Sequence, residues 1–278
     1  MKKFCTTSTT VTKNTKAVIV VSFGTTFEEA RINDIGGIEE SIKNAFPNRD
    51  FFRANTSYIV MKRNAQKGIY VKDLADTLAD LKESGYTDIL VQPTHLLHGE
   101  EYEKKVLVTI TKFENEFSRL VTGKPLISCK EDYAITASAL ATQFPMLHQD
   151  EGIILMGHGS PRDNNRSFGN TYNNLQKSFD AMGLPVIVGT VEEVDSPNID
   201  AVLKVLAMRS YKTVHLYPLM IVAGDHAHND MCGDDEDSWK TKIEKKGVKT
   251  IGHLAGIGRN KAIQSLYVQH AISALSVM

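Results

Sequence analysis

The chain lacks the marks of several large protein classes. It holds three cysteines, Cys5, Cys129 and Cys232, an odd number with no CxxC pair. That excludes a disulfide framework and points to a reducing compartment, so a cytoplasmic location is expected. No apolar run approaches the ~20 residues that a membrane-spanning helix needs. The formal net charge is −1, so no global basic field recruits nucleic acid or an anionic membrane. The first strand-like run is not followed by GxGxxG, and GxxxxGK[ST] is absent, which leaves nucleotide binding without a motif. Ser22 and Ser160 lie outside any GxSxG, with no base placed for them. Residues 1–15 are polar and carry no apolar signal-peptide core; they read as a disordered leader.

What is present is ordinary globular material. Of 278 residues, 42% are hydrophobic and 23% charged, enough for two domains of common size. Short apolar runs alternate with longer helical patterns. In the first half strands are expected at 17–23, 51–57, 88–93 and near 125–128, and helices over 24–46, 70–85, 100–117 and 131–143. In the second half strands are expected at 152–157, 185–192, 213–222 and 248–254. The helices there fall at 165–183, 198–212, 238–247 and 260–275. Continuous apolar strands between helices imply parallel sheets covered on both faces. The expected fold class is therefore α/β, with two similar α/β domains spanning 16–130 and 131–278. The last helix is free to pack back on the first of them.

An internal repeat supports two like units. VSFGTT (21–26) overlays MGHGSP (156–161), matching Gly24 with Gly159. PTHLLHGEEYEKK (93–105) overlays PLMIVAGDHAHND (218–230), matching Pro93 with Pro218 and Gly99 with Gly224. Phe23 then stands where His158 stands, and Glu101 where His226 stands.

The candidate chemistry collects at the C-terminal ends of the expected second-half strands, the edge at which open α/β sheets build ligand sites. His158 follows IILMG, Glu192 follows VIVGTV, and His226 lies in AGDHAHND (223–230). Two imidazoles and a carboxylate suit a borderline divalent metal such as cobalt, nickel, iron or zinc. The glycines flanking His158 point to close approach of a ligand. Of His226 and His228, a strand would send the two to opposite faces, leaving one as ligand. Cys232 has no partner cysteine or matched spacing for a structural zinc site. Asp234 to Asp237 precede a helix, whose N-terminal field accounts for them. His95 and His98 sit at the equivalent edge of the first half, where they could line the opposite wall of a cleft. His148, His215, His253 and His270 read as surface or packing residues.

The segments SFGTTFEEAR, TSYIVMKR, QPTHLLHGEEYEK, MGHGSPRDNN, GTVEEVDS and PLMIVAGDHAHNDMCGDDEDSWK together resemble the anaerobic-pathway sirohydrochlorin cobaltochelatases. These are class II chelatases, similar in structure to protoporphyrin ferrochelatase. The resemblance runs from about residue 16 to the end. It implies two α/β domains with a tetrapyrrole cleft between them, and Co2+ as the substrate metal with no organic cofactor. It further implies that His158 and His226 form the metal-binding and catalytic pair and that Glu192, or its neighbour Glu193, completes the metal site. Some relatives are exported, which leaves that location open.

The implied partner, sirohydrochlorin, carries eight carboxylates, which pair well with guanidinium groups. Arg53, Lys62, Arg63 and Arg162 lie near strand ends and are candidates, with His95, Glu101 and Arg53 taken as the tetrapyrrole wall. Other readings keep the scaffold and change the chemistry: insertion of Fe2+ or Ni2+, or non-catalytic binding of haem or another tetrapyrrole. The assembly state stays open, a homo-oligomer included.

Overall fold

A computed structural model describes residues 14–159, 170–192 and 197–276. The leader up to residue 13, Ser160, Arg162, Glu193 and the expected helix start at 165–169 lie outside the described residues.

In the first half the order is β1 (Lys16–Ser22), α1 (Glu28–Ala30), α2 (Gly36–Ala45), β2 (Asp50–Asn55), α3 (Tyr58–Ala65), α4 (Leu74–Glu83), β3 (Asp88–Pro93), α5 (Val108–Phe113), β4 (Arg119–Thr122) and α6 (Glu131–Ala141). The second half runs β5 (Glu151–Gly157), α7 (Thr171–Ala181), β6 (Val186–Thr190), α8 (Ile199–Ala207), β7 (Thr213–Leu219), α9 (Trp239–Glu244), β8 (Lys249–Gly252) and α10 (Lys261–Ser276). The strands form two four-stranded parallel sheets, ordered β2-β1-β3-β4 and β6-β5-β7-β8. The two orders are the same topology written twice.

Both faces of each sheet are covered, which is why the strands read as unbroken apolar runs. Alternate residues serve different cores. Ile19 and Val21 of β1 pack with Leu74, Leu78 and Leu81 of α4 on the outer face. Val18 and Val20 point the other way, into a cluster that also takes Ile153 and Leu155 of β5, Tyr133 and Leu140 of α6, and Tyr267 of α10. That inner cluster is shared by both halves. On the far side of the second sheet, Met156 and Leu216 pack with Val202, Leu206, Trp239 and Ile243. Each fully buried aliphatic of this kind contributes roughly 1.5–3 kcal/mol relative to exposure.

Helix starts follow cap chemistry. Ser57, Asp73, Asn198 and Ser238 each accept a hydrogen bond from a backbone N–H three residues on, opening α3, α4, α8 and α9. The acids before Ser238 also pair with lysines of α9, as in Asp234–Lys240 at 2.7 Å.

Several expected elements differ. The fourth strand is Arg119–Thr122, not 125–128. Residues 125–128 form an extended connection whose single bridge joins Leu97 and Ile127. Leu126 and Ile127 are apolar because they fill the shared core, so burial without a ladder imitated a strand. The helix expected over 24–46 begins at Glu28 and is broken: α1, a π-helical turn at Arg31–Ile35, then α2 to Ala45. A second π-turn, Tyr102–Leu107, opens the helix expected over 100–117. The helix α3 was not expected from the sequence at all. The strands expected to reach 192 and 222 end at Thr190 and Leu219.

The last helix packs on the first half. The hydroxyl of Tyr267, fully buried, donates to the carbonyls of Thr94 (2.9 Å) and His95 (3.1 Å). Ser41 of α2 donates to Gln264 of α10 at 2.8 Å.

Candidate metal centre

The strands β5 and β6 end at Gly157 and Thr190, but two backbone hydrogen bonds join the chains beyond the ladder. Val191 N–H donates to Gly157 O at 2.8 Å, and Glu192 N–H donates to His158 O at 3.1 Å. These bonds bring Glu192 to the side of His158, with Nε2 and Oε1 3.8 Å apart. From the next strand over, the chain leaves β7 and turns into a π-helical segment, Ala227–Met231. His226 is the residue just before that turn. Its ring meets the His158 ring edge-on, with centroids 4.9 Å apart at 85°. Three neighbouring strand ends therefore bring His158, Glu192 and His226 together.

The two histidines are presented alike. His226 Nδ1 lies 2.6 Å from Asp230 Oδ2, and His158 Nδ1 lies 3.2 Å from Gly159 O. An Nδ1–H satisfies each of those oxygens; in that tautomer the His226 Nε2 lone pair is open, and the His158 Nε2 is turned toward Glu192. All three side chains are partly open to solvent. Among the described residues no group of three or more His, Cys, Asp or Glu side chains is arranged to hold a metal ion as it stands. The 3.8 Å from His158 to Glu192 is wider than the roughly 3.3 Å between ligand atoms around a tetrahedral ion with ~2 Å bonds. The centre is an open cluster, not a closed cage.

The glycines beside His158 have another cause than the one expected. A Cβ on Gly157 would fall 2.2 Å from the ring of Tyr172. Gly159 has φ of 100°, which an L side chain rarely adopts. Packing and backbone turn explain both, and Gly159 N–H donates to the Tyr172 hydroxyl at 3.0 Å.

The HxH pair lies in a helical turn rather than a strand. It still separates, because residues two apart on a helix do not share a face. His228 stacks on Phe27 of the first half, with centroids 4.8 Å apart.

The first-half candidates are placed apart in role. Glu101 immediately precedes the π-turn Tyr102–Leu107, the place His226 holds before its own π-turn. Arg53 is paired with Glu39 at 2.8 Å; burial raises the Glu39 carboxyl above its ordinary range, and Arg53 opposes that rise. Arg53, Arg31 and Lys43 line a cavity of about 300 Å³ that also reaches Gly24, Thr25 and Asn55. His95 keeps a small exposed margin, but both ring nitrogens are sealed and without a hydrogen-bond partner. Burial pushes its pKa down to about 4. His98 faces Glu103 at 3.4 Å and meets Tyr102 edge-on.

Sequence reasoning missed Asp230, Tyr172 and Phe27. The first was findable, since His226 and Asp230 stand four apart, the spacing of neighbours on a helix. It also missed that His215 and His253 are partnered, Nδ1 to Nε2 at 3.0 Å, with His253 stacked on Tyr217. Burial, then the neighbouring His215, lowers the His253 pKa.

A doubled parallel α/β scaffold thus carries a histidine–histidine–carboxylate cluster at its strand ends, residue types that suit a borderline divalent metal. The fold is similar to that of SirB from Bacillus subtilis, solved with Fe3+, at a TM-score of 0.61 and 16% identity over 93% of this chain and 95% of that one. It is also similar to a multi-domain protein of Deinococcus radiodurans described as structurally similar to chelatases, at a TM-score of 0.59 and 12% identity over 92% of this chain and 55% of that one. Residues 16–276 match the cobalt chelatase (CbiK) family, and the chain belongs to it. It is 37% identical over 263 residues to the sirohydrochlorin cobaltochelatase of Salmonella typhimurium, covering 94% of this chain and 97% of that protein. It is 27% identical over 265 residues to the sirohydrochlorin cobaltochelatase CbiKC of Nitratidesulfovibrio vulgaris, covering 95% and 92%.

Proposed function

We propose that this chain inserts Co2+ into sirohydrochlorin in a cleft between its two halves, with His158, Glu192 and His226 as the metal-holding and proton-accepting groups. The observation that carries the reading is the convergence of these three side chains from neighbouring strand ends, with both imidazoles held through Nδ1.

Insertion exchanges two pyrrolic protons for one metal ion, so the site must accept two protons and strip water from the metal. A planar macrocycle resists because its nitrogen lone pairs lie in the ring plane. Binding energy from the rest of the substrate bends it and exposes them. The Nε2 atoms of His226 and His158 hold the metal on one face and, when neutral, take up protons. Glu192 lowers the charge of the bound metal and provides an exit for a proton through His158. The open arrangement serves turnover, because a closed cage would retain the ion. Asp230 fixes the His226 ring, as carboxylates commonly do behind metal-binding histidines. On the first-half wall, Arg53 and Glu101 face the tetrapyrrole, with His95 beneath that wall. The cavity lined by Arg31, Lys43 and Arg53 is also lined by Glu39 and Glu40, so a substrate carboxylate there would compete with Glu39 for Arg53.

Among the described residues no helix is long and apolar enough to cross a membrane. Cys129 and Cys232 are free thiols, which favours a cytoplasmic location for the enzyme.

The test is an anaerobic absorbance assay with sirohydrochlorin and Co2+, Fe2+ or Ni2+ in turn. A spectral shift fastest with Co2+, and lost in a His158→Ala/His226→Ala variant, is expected. No insertion above the protein-free rate would overturn the reading.

A further inference from the structure

The loop that carries His226 is held by a residue from the opposite half. Asp34 lies in the π-turn Arg31–Ile35 and is completely buried. Its Oδ2 accepts from Ala223 N–H at 3.0 Å and from Gly256 N–H at 3.1 Å. Its Oδ1 accepts from Arg259 Nε at 2.9 Å. A buried carboxylate is costly unless its oxygens are satisfied by such donors, and here every donor comes from the second half. Arg259 continues outward to Glu29 Oε1 at 3.3 Å. Residues 220–223 and 256–259 are closed around Asp34. Ile257 N–H donates to Met220 O at 2.9 Å and Gly258 N–H to Ile221 O at 3.0 Å. A Cβ on Gly256 would fall 2.6 Å from Asp34 Oδ2, and one on Gly258 would fall 2.6 Å from Asp34 O. The sequence keeps glycine where the clamp needs close approach.

We infer that Asp34 is a positioning residue for His226: it anchors the start of the loop leaving β7, three residues before the histidine, to the first half. The inference rests on the proposed role of His226. Chemistry on the second half then depends on the docking of the first. Asparagine is nearly the same size but cannot reproduce the site. It has one accepting oxygen, and its amide would point a donor at another donor, either a backbone N–H or Arg259.

The experiment compares wild type with Asp34→Asn in three measurements: circular dichroism melting, sirohydrochlorin affinity without metal, and steady-state Co2+ insertion. The expected result is a folded variant whose sirohydrochlorin Kd stays within threefold of wild type while kcat falls tenfold or more. A kcat within twofold of wild type overturns the inference. So does a Kd that worsens in step with kcat, which would mark general loss of structure. If Asp34→Asn does not fold, Arg259→Gln removes one partner only and must show the same split, with kcat reduced and Kd held; unchanged kcat there overturns it. Nitrogen-15 NMR of the histidine rings supplies a readout independent of activity. Asp34→Asn must move the His226 signals, assigned with His226→Ala, and leave those of His148 and His270 in place. A silent wild type in the insertion assay overturns the functional reading; an unmoved His226 signal overturns this one.

Discussion

The two halves leave their first strands on the same turn and put different chemistry on it. Gly24 has φ of 92° and Gly159 has φ of 100°. The residue before the first is Phe23, half exposed, and the residue before the second is His158. A π-turn follows the third strand of each sheet, preceded by Glu101 in one and His226 in the other. π-turns recur at functional sites in proteins, and here the pair marks positions related by the internal repeat. The sheet order is repeated in both halves, while the proposed metal-holding groups His158, Glu192 and His226 all lie in the second. Backbone geometry at a strand end therefore creates a place for function without supplying it; the side chain set on that place does.

The comparison breaks most sharply when the second half is given the side chains of the first. His226→Glu removes an imidazole whose Nε2 is open, and insertion should fall by ~10³-fold or more with melting unchanged, since general acid–base groups are commonly worth 10²–10⁴. Activity within tenfold of wild type would mean that His226 is not a participant. His158→Phe copies Phe23 and should cost about 10²-fold or more; the Gly157–Tyr172 packing does not involve the ring, so circular dichroism should not change. Asp230→Asn keeps His226 but weakens the group that orients it, and a loss of roughly 10–100-fold is expected from the usual cost of such partners. A measured metal affinity equal to wild type would contradict it.

A smaller effect sharpens the comparison from the first-half side. His95 is held neutral, with its pKa pushed down to about 4 by burial. The unfolded chain takes up a proton on this residue below its ordinary value near 6.5. Stability from this source is therefore whole above pH 6.5 and is lost as pH falls from there toward 4. The loss should be about 2 kcal/mol at pH 5. His95→Phe should flatten that part of the decline in urea unfolding measured at pH 7 and pH 5. A pH slope identical to wild type would show that the ring is not sealed. Phe23→Ala, on an exposed side chain, should change insertion by less than about threefold, because exposed truncations rarely matter where no pocket closes on them.

Much of this was legible in the residues. Alternation of apolar runs with helical patterns revealed two parallel sheets, and the strand-end position of His158, Glu192 and His226 pointed to one edge. What escaped was of two physical kinds. Local pattern misled where burial and pairing part company: Leu126 and Ile127 are apolar because they fill the shared core from outside any strand. Long-range partners left no local trace. Nothing near Asp34 announces Ala223, and nothing near Gly157 announces the Tyr172 ring that forbids a side chain there. His226 and Asp230 are the middle case, visible in spacing but only once the segment is known to be helical.

The return of α10 to the first half bears on how the molecule is born. Chains emerge from the ribosome N-terminus first, yet the first sheet lacks Tyr267 and Ile263 for its inner face until the last residues are made. Until then Val18, Val20 and Leu90 have only the first-half part of their cluster, such as Ile38 and Ile42 of α2, to cover them. Contacts between residues so far apart in sequence are slow to form, and the partly covered strands are a target for holding chaperones during that interval. Cutting the gene between the halves would yield a first fragment that reaches the cell without its lid.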